Sequence, residues 1–308
     1  MKKVVMITGA LGQDGRIITN ILYKSNYFKI IGIDKKKNIK NKKIRVYKIN
    51  LFNKNTIKKF ISVHNPKYLI HFASKNYSHN FKRKSIFKRE YLDNCTISKN
   101  LINTIISLNL KTIFIFAGSS MMYEGYTNKI INEDTRFNPI NYYSKYKVDI
   151  HKYFIKLKKK KKINGSTVIL FNHDSILKNK KFLIPRLVNY FVKKKFSLIK
   201  NIYKSNITGD FSHAEDICYG IYLLMLKKKY HDKIILSSYK KTCISDVILF
   251  INKFFNYKID FDVIYKSSKL VLGNNSLAKK FIKYKPKFNT YFVIKELIKN
   301  NNKLLNHR

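Results

Sequence analysis

Along the chain, short apolar runs alternate with stretches of helical spacing. Residues 3–8 (KVVMIT) form the kind of continuous apolar run that a strand buried on both faces shows. Behind a glycine-rich turn, Ile17, Ile18, Ile21 and Leu22 recur at the spacing of one helix face. Further runs at 30–33, 45–49, 67–72 and 112–116 predict four more strands, and Ile97, Leu101, Ile102, Ile105 and Ile106 predict a helix over 96–108. This alternation predicts an α/β fold, a Rossmann-type doubly wound parallel sheet with helices on both faces. Such a sheet binds ligands beyond the carboxyl ends of its strands. Residues 9–15, Asp34, Asn50, Ala73 and Ser119 all fall at that end. After Phe171 the alternation turns irregular; 182–195 and 216–226 predict helices, and Leu187, Val188, Tyr190 and Phe191 make a stripe suited to a core.

The first turn carries the first chemical signal. Gly9, Gly12 and Gly15 stand three apart in TGALGQDG, between a strand and a helix. In that setting the first glycine permits the tight turn and the second lets the backbone approach a pyrophosphate. The third lets the helix pack close to the strand. The helix N-terminus adds unpaired N–H groups and a partial positive charge. A dinucleotide is therefore expected here, against Gly9, Leu11, Gly12, Gln13, Asp14 and Gly15. Asp34 ends the next strand, where a carboxylate can hydrogen-bond both hydroxyls of an adenosine ribose and would repel a 2′-phosphate. It favours NAD over NADP, a preference that the neighbouring Lys35, Lys36 and Lys37 weaken.

The second signal lies further on. The run at 112–116 leads into Ala117-Gly118-Ser119-Ser120, and Tyr143 and Lys147 follow at a separation that puts both on one helix face. A free tyrosine ionises near pH ~10. A lysine ammonium and a positive nicotinamide ring nearby would favour the phenolate and bring it toward useful acid/base range. A serine hydroxyl at the strand end can orient the reacting oxygen. These parts match hydride transfer between a carbinol and a nicotinamide, with Tyr143 moving the proton.

Composition changes this picture little. With 308 residues, of which 45% are hydrophobic, the chain can fill about two domains. Lys and Arg exceed Asp and Glu by 64 − 17 = 47. The lysines are spread over the whole chain and arginine, the preferred reader of bases and phosphates, is scarce, so a nucleic-acid partner is not expected. Abundant Asn, Ile, Tyr and Phe with no Trp point instead to drift toward A+T-rich codons. A secondary benefit would be attraction of an anionic small substrate. The densest basic run, 158–162, reads as a solvated helix end. No apolar run approaches the ~18–20 residues of a membrane span, and Gly9, Gly12 and Asp14 interrupt the first run before it reaches signal length. Cys95, Cys218 and Cys243 are too widely spaced for a disulfide framework or a zinc pattern, so no metal is expected. A soluble cytoplasmic protein is the expectation.

Beyond these two signals the chain resembles the extended short-chain dehydrogenase/reductase superfamily of nucleotide-sugar epimerases and dehydratases, most of all the GDP-mannose 4,6-dehydratase type. The resemblance rests on ITGALGQDG at 7–15, Glu133-Asp134-Thr135 with Pro139, Tyr143 and Lys147, and FNHDS at 171–175. DFSHAED at 210–216 and the closing LVLGN at 270–274 with Ala278, Lys279, Lys280 and Lys285-Pro286-Lys287 extend it along nearly the whole chain. It implies an NAD(P)-binding Rossmann domain over 1–170 and a smaller mixed substrate-binding domain over 171–308, part of which returns to the first. It implies a homodimer and a nucleotide-sugar substrate, GDP-linked by type. Tyr143 becomes the acid/base, Lys147 a ligand of the nicotinamide ribose, and Ser119 the catalytic hydroxyl. Asn50 and Leu51 fall on the adenine-contacting pair, Phe72, Ala73 and Ser74 on the cofactor side, and His173 on a cofactor-binding histidine. Ser120, Asn172 and Arg186 fall toward the sugar diphosphate. Three departures stand out. The glutamate that removes the C5 proton in the dehydratases is Met121 here, or Met122 with a one-residue shift, and Glu124 is the nearest carboxylate. The diphosphate arginine before Asp210 is Gly209. The later Arg-Pro-x-Glu segment reads Tyr265-Lys266-Ser267-Ser268. The expectation is a nucleotide-sugar enzyme of the GDP-mannose 4,6-dehydratase type that oxidises the sugar C4 hydroxyl, with 4-ketoreduction or epimerisation as the alternative that Met121 favours and a non-catalytic cofactor binder as a further one.

Overall fold

The structure, a computed structural model, describes residues 2–36, 39–40, 42–75, 84–205, 207–261 and 270–306. Lys37 and the segment 265–268 lie outside the described residues. The strands are β1 (Lys3–Thr8), β2 (Phe28–Asp34), β3 (Ile39–Lys40), β4 (Arg45–Lys48), β5 (Tyr68–His71), β6 (Ile113–Ala117), β7 (Lys129–Ile131), β8 (Asn164–Leu170), β9 (Asn172–Asp174), β10 (Thr208–His213), β11 (Lys233–Leu236), β12 (Lys241–Cys243) and β13 (Val271–Gly273). The helices are α1 (Gln13–Ser25), α2 (Lys54–His64), α3 (Lys84–Ser107), α4 (Tyr142–Lys159), α5 (Leu183–Val192), α6 (Phe196–Lys204), α7 (Ala214–Met225), α8 (Ile244–Phe254), α9 (Ser276–Ile282) and α10 (Thr290–Asn306).

Eight strands form one sheet in the order β11-β8-β6-β5-β1-β2-β4-β3, parallel except for β3 at the edge. Because β1 pairs with β2 on one side and β5 on the other, the strand order reverses between β1 and β5. That reversal opens the crevice in which a doubly wound sheet holds its ligand. Side chains of β1 alternate between the two faces: Val5 and Ile7 pack with Ile18, Leu22, Ile217 and Ile221 from α1 and α7, while Met6 packs with Ile102, Phe114 and Phe154 over α3 and α4. The predicted stripe at Leu187, Val188 and Phe191 is buried in a further core with Ile244, Val247, Ile248, Val293 and Ile294. Among the described residues no helix is long and apolar enough to cross a membrane.

The later motifs turn out to be joints. Asp210 is buried and accepts from the Ser238 N–H and hydroxyl, the Tyr239 N–H and the Gly273 N–H, while burial pushes its carboxyl up to about 6. His213 bonds Glu296 at 2.8 Å, and Asp216 receives the Lys287 and Phe288 N–H groups at 3.0 and 2.9 Å. These side chains tie the closing segment to β10 and α7. The basic run at the end of α4 is not wholly solvated: Lys158 donates to the Tyr230 carbonyl at 2.7 Å and pairs with Asp232 at 2.9 Å, leaving Lys159–Lys162 outside as expected.

A directional chain of hydrogen bonds supports the crevice floor. The Ser98 hydroxyl donates to the Asn94 carbonyl at 2.7 Å, so it accepts from His71 Nε2 at 2.8 Å. His71 Nδ1 is left to accept from the Thr8 hydroxyl at 2.7 Å, and that oxygen takes the Ala73 N–H at 3.3 Å. Asn94 then clasps the backbone of Lys75 at both its N–H and its carbonyl. The chain works only with a neutral ring, and burial with the Lys147 charge lowers His71 to about 3. Unfolded, the ring ionises near ~6.5, so between these values the unfolded chain holds a proton that the folded chain lacks. Stability from this group is complete above pH ~6.5 and is lost at about 1.4 kcal/mol per pH unit as the pH falls toward 3. His71→Gln is expected to lower stability at neutral pH and to flatten its acid slope by about one proton. Denaturant unfolding followed by circular dichroism at stepped pH measures both, and an unchanged slope would refute the assignment.

Candidate active site

Gly9 has φ +72°, a left-handed value at which a side chain is strained, and a Cβ there would stand 2.9 Å from the Ala73 nitrogen. A Cβ on Gly15 would collide with the Gly9 carbonyl and with Ala10. The turn can therefore be built only from glycine at these points, and it leaves backbone exposed at the start of α1. Beside it runs a cleft of about 290 Å³, lined among others by Gly9, Gly12, Gln13, Asp14, Gly15, Asp34, Leu51, Phe72, Ala73 and Ser74. These are the residues that the glycine pattern and strand ends singled out. The turn geometry and the cleft fit a dinucleotide laid across the carboxyl edge of β1, β2 and β5.

Some expected partners stand elsewhere. Asn50 is exposed, and its side-chain oxygen takes the Phe52 N–H at 3.1 Å; the cleft wall there is Leu51. Leu11 meets the site through its N–H, which donates to Asp34 at 3.1 Å. The other Asp34 oxygen takes the Lys36 N–H, so backbone fixes the carboxylate at the cleft rim. Lys75, Asp93, Asn94 and Ile97 also line the cleft and escaped sequence reasoning. Asn94 and Ile97 sit one helical turn apart on α3, with no motif to announce them.

The second cluster forms where β6 meets α4. Asn141 caps α4 by accepting the Ser144 N–H at 2.9 Å, and the Ser144 hydroxyl faces the Asn141 backbone in return. This capping box sets where the helix begins. The same turn places Tyr143 and Lys147 on the inward face. Lys147 is 2% exposed; its Nζ donates to the Ala117 carbonyl at 2.6 Å and lies 4.9 to 5.5 Å from the ring centres of Phe116, Tyr143 and Tyr146. Ser119 accepts the Met121 N–H at 3.2 Å, and its hydroxyl and that of Ser74 both reach the part-buried Tyr143 phenol. Ser119, Tyr143 and Lys147 thus converge. Ser120 is part-buried at the start of the following 3-10 turn, Asn172 is exposed at the start of β9, and Arg186 lies on α5 with a buried Nε that has no hydrogen-bond partner among the described residues.

The electrostatics differ from expectation in one respect. Burial pushes Tyr143 up to about 12, the Asp14 charge adds to this, and the Ser74 and Ser119 hydroxyls oppose it. Burial likewise lowers Lys147 to about 7, against the pull of Asp14. In the chain by itself desolvation outweighs the neighbouring ammonium. His173, placed on the cofactor side by resemblance, bonds Asp14 at 3.1 Å.

At the position of the dehydratase glutamate, Met121 is part-buried and Met122 is fully buried in an apolar cluster. Glu124 is drawn aside: its carboxylate takes the Asn141 side-chain amide, and burial raises its pKa. Gly209 leaves β10 without a cation at the expected arginine position; a Cβ there would approach the Phe211 ring at 3.1 Å.

Comparison with known proteins agrees with this geometry. A family model described as "NAD dependent epimerase/dehydratase family" matches residues 5–235. The chain is 25% identical over 227 residues to a GDP-6-deoxy-D-talose 4-dehydrogenase of Aggregatibacter actinomycetemcomitans, covering 72% of this chain and 70% of the relative. It is 21% identical over 263 residues to GDP-mannose 4,6 dehydratase 1 of Arabidopsis thaliana, covering 78% and 72%. Its fold matches UDP-glucuronic acid 4-epimerase of Bacillus cereus, solved in complex with NAD, at TM-score 0.81 and 16% identity over 98% of this chain and 99% of the other. This protein belongs to the NAD-dependent epimerase/dehydratase family.

Proposed function

We propose that this chain is a nucleotide-sugar 4-dehydrogenase working reversibly as a 4-ketoreductase, with a GDP-linked hexose as substrate and Ser119, Tyr143 and Lys147 as its catalytic residues. The observation that carries this reading is the convergence of a hydroxyl, a phenol and a buried ammonium beside the glycine turn, with a thioether where elimination needs a carboxylate. The GDP-6-deoxy-D-talose 4-dehydrogenase likeness supports it.

NAD, when bound, supplies the hydride acceptor. The backbone of residues 9–15 would hold its phosphates, Asp34 its adenosine ribose, and Lys147 its nicotinamide ribose. Tyr143 takes the proton from the C4 hydroxyl as the carbonyl forms, and returns it in the reverse direction. Ser119 holds the same oxygen. Lys147, when protonated, sets a positive charge near the phenol, and a bound nicotinamide ring would add to that field. The unpartnered Arg186 Nε supplies a donor for the diphosphate in place of the arginine missing at Gly209.

A second reading, dehydration, is favoured by the Arabidopsis relatives. It requires Glu124 to leave Asn141 and reach the C5 proton, whereas a thioether accepts no proton at all.

Tyr143→Phe is expected to lower turnover by at least ~100-fold while leaving NAD affinity unchanged, because only proton transfer is lost. Steady-state kinetics and calorimetric NAD titration measure the two separately, and full activity in the variant would exclude Tyr143 as the acid/base. On a panel of GDP-, UDP- and dTDP-hexoses followed by NMR, the wild type is expected to interconvert C4 hydroxyl and C4 ketone with C6 untouched. A 6-deoxy-4-keto product from a C6-hydroxylated sugar would establish dehydration instead. Met121→Glu is expected to introduce or raise loss of water from C6, and no change would count against this position for the missing base.

A further inference from the structure

Gln13, Asp14 and His173, all expected to face the cofactor, also hold one another, and Gln13 and Asp14 line the cleft besides. His173 is 9% exposed on β9. Its Nδ1 lies 2.7 Å from the Phe171 carbonyl and its Nε2 lies 3.1 Å from Asp14 Oδ1. A carbonyl and an ionised carboxylate only accept, so the ring donates from both nitrogens and carries a positive charge. Gln13 donates to the same Asp14 oxygen at 2.9 Å and accepts the Ser175 hydroxyl at 3.0 Å. Lys178 donates to the His173 carbonyl at 3.1 Å. Gln13 and Asp14 of the phosphate turn are thus bound to His173 and Ser175, across more than half the chain.

We propose that Asp14 and His173 form an ion pair that clamps the phosphate-binding turn to β9. Both are positioning residues. The clamp follows from the bonds above, since the glycines that shape the turn offer no side chain of their own to anchor it. Burial pushes the Asp14 carboxyl up, yet His173, Lys178 and Gln13 together hold it well below the usual carboxylate range.

The clamp needs only that the turn binds a dinucleotide, and so rests on that part of the proposed function alone. The test uses NADH as the probe, with His173→Gln, Asp14→Asn and the double variant. Each single substitution is expected to weaken NADH binding about tenfold, with the double variant no weaker than either single, as one coupled unit requires. Additive losses, or unchanged NADH affinity with only a lowered unfolding midpoint, would overturn the clamp. Should the variants fail to fold, the wild type decides by NMR. Two N–H signals on the His173 ring are expected, and a nitrogen bearing a lone pair would refute the ion pair. Wild-type turnover in Tyr143→Phe would remove the acid/base reading while leaving the NADH cycle to stand or fall alone.

Discussion

One bond fixes the register of the site: the Lys147 ammonium, sunk beneath the sheet edge, donating to the Ala117 carbonyl at the end of β6. Burying an ammonium is costly unless its donors are met, and here one carbonyl and the faces of three aromatic rings meet part of that need. The contact holds α4 at one height against β6. With the helix so placed, the residue one turn earlier, Tyr143, must stand beside Ser119 at the end of the same strand.

The burial that positions the pair also opposes its chemistry. It drives the phenol and the ammonium toward their neutral forms, Tyr143 upward and Lys147 downward. A positive nicotinamide ring in the cleft would push the phenol back toward ionisation, which links readiness for proton transfer to occupancy of the cofactor site. Nearby acidity is kept under control in the same way. Asp14 is tied to His173, and Glu124 is held by Asn141. The excess of 47 positive charges is carried largely on the outside and contributes little to this local arrangement.

The sheet and its crevice were legible because β1 and its neighbours are buried on both faces, so their apolar runs survive in the sequence whatever the surface does. The glycine turn was legible for a steric reason, since no other residue fits at Gly9 or Gly15. Tyr143 and Lys147 were legible as a pair on one helix face from their spacing, read together with the glycine turn and the preceding serines. Less visible were the partners that side chains choose once the chain is folded. Nothing in the spacing shows that Asn50 turns to its own backbone, that Lys158 meets Tyr230 and Asp232, or that Gln13, Asp14 and His173 pair across some 160 residues. The sign of the shift at Tyr143 was also hidden, because the extent of burial is a property of the packed site.

The central claim is that hydride passes between the hexose C4 and the nicotinamide in this cleft with no bond broken at C6. Incubating the chain with a GDP-4-keto-6-deoxyhexose and NADH deuterated at the transferable position, then locating the label by NMR, tests it most directly. The account predicts deuterium at C4 of the recovered GDP-sugar, with C5 and C6 unlabelled. An unreacted ketone with the label still on the cofactor, or deuterium at C6, would contradict it.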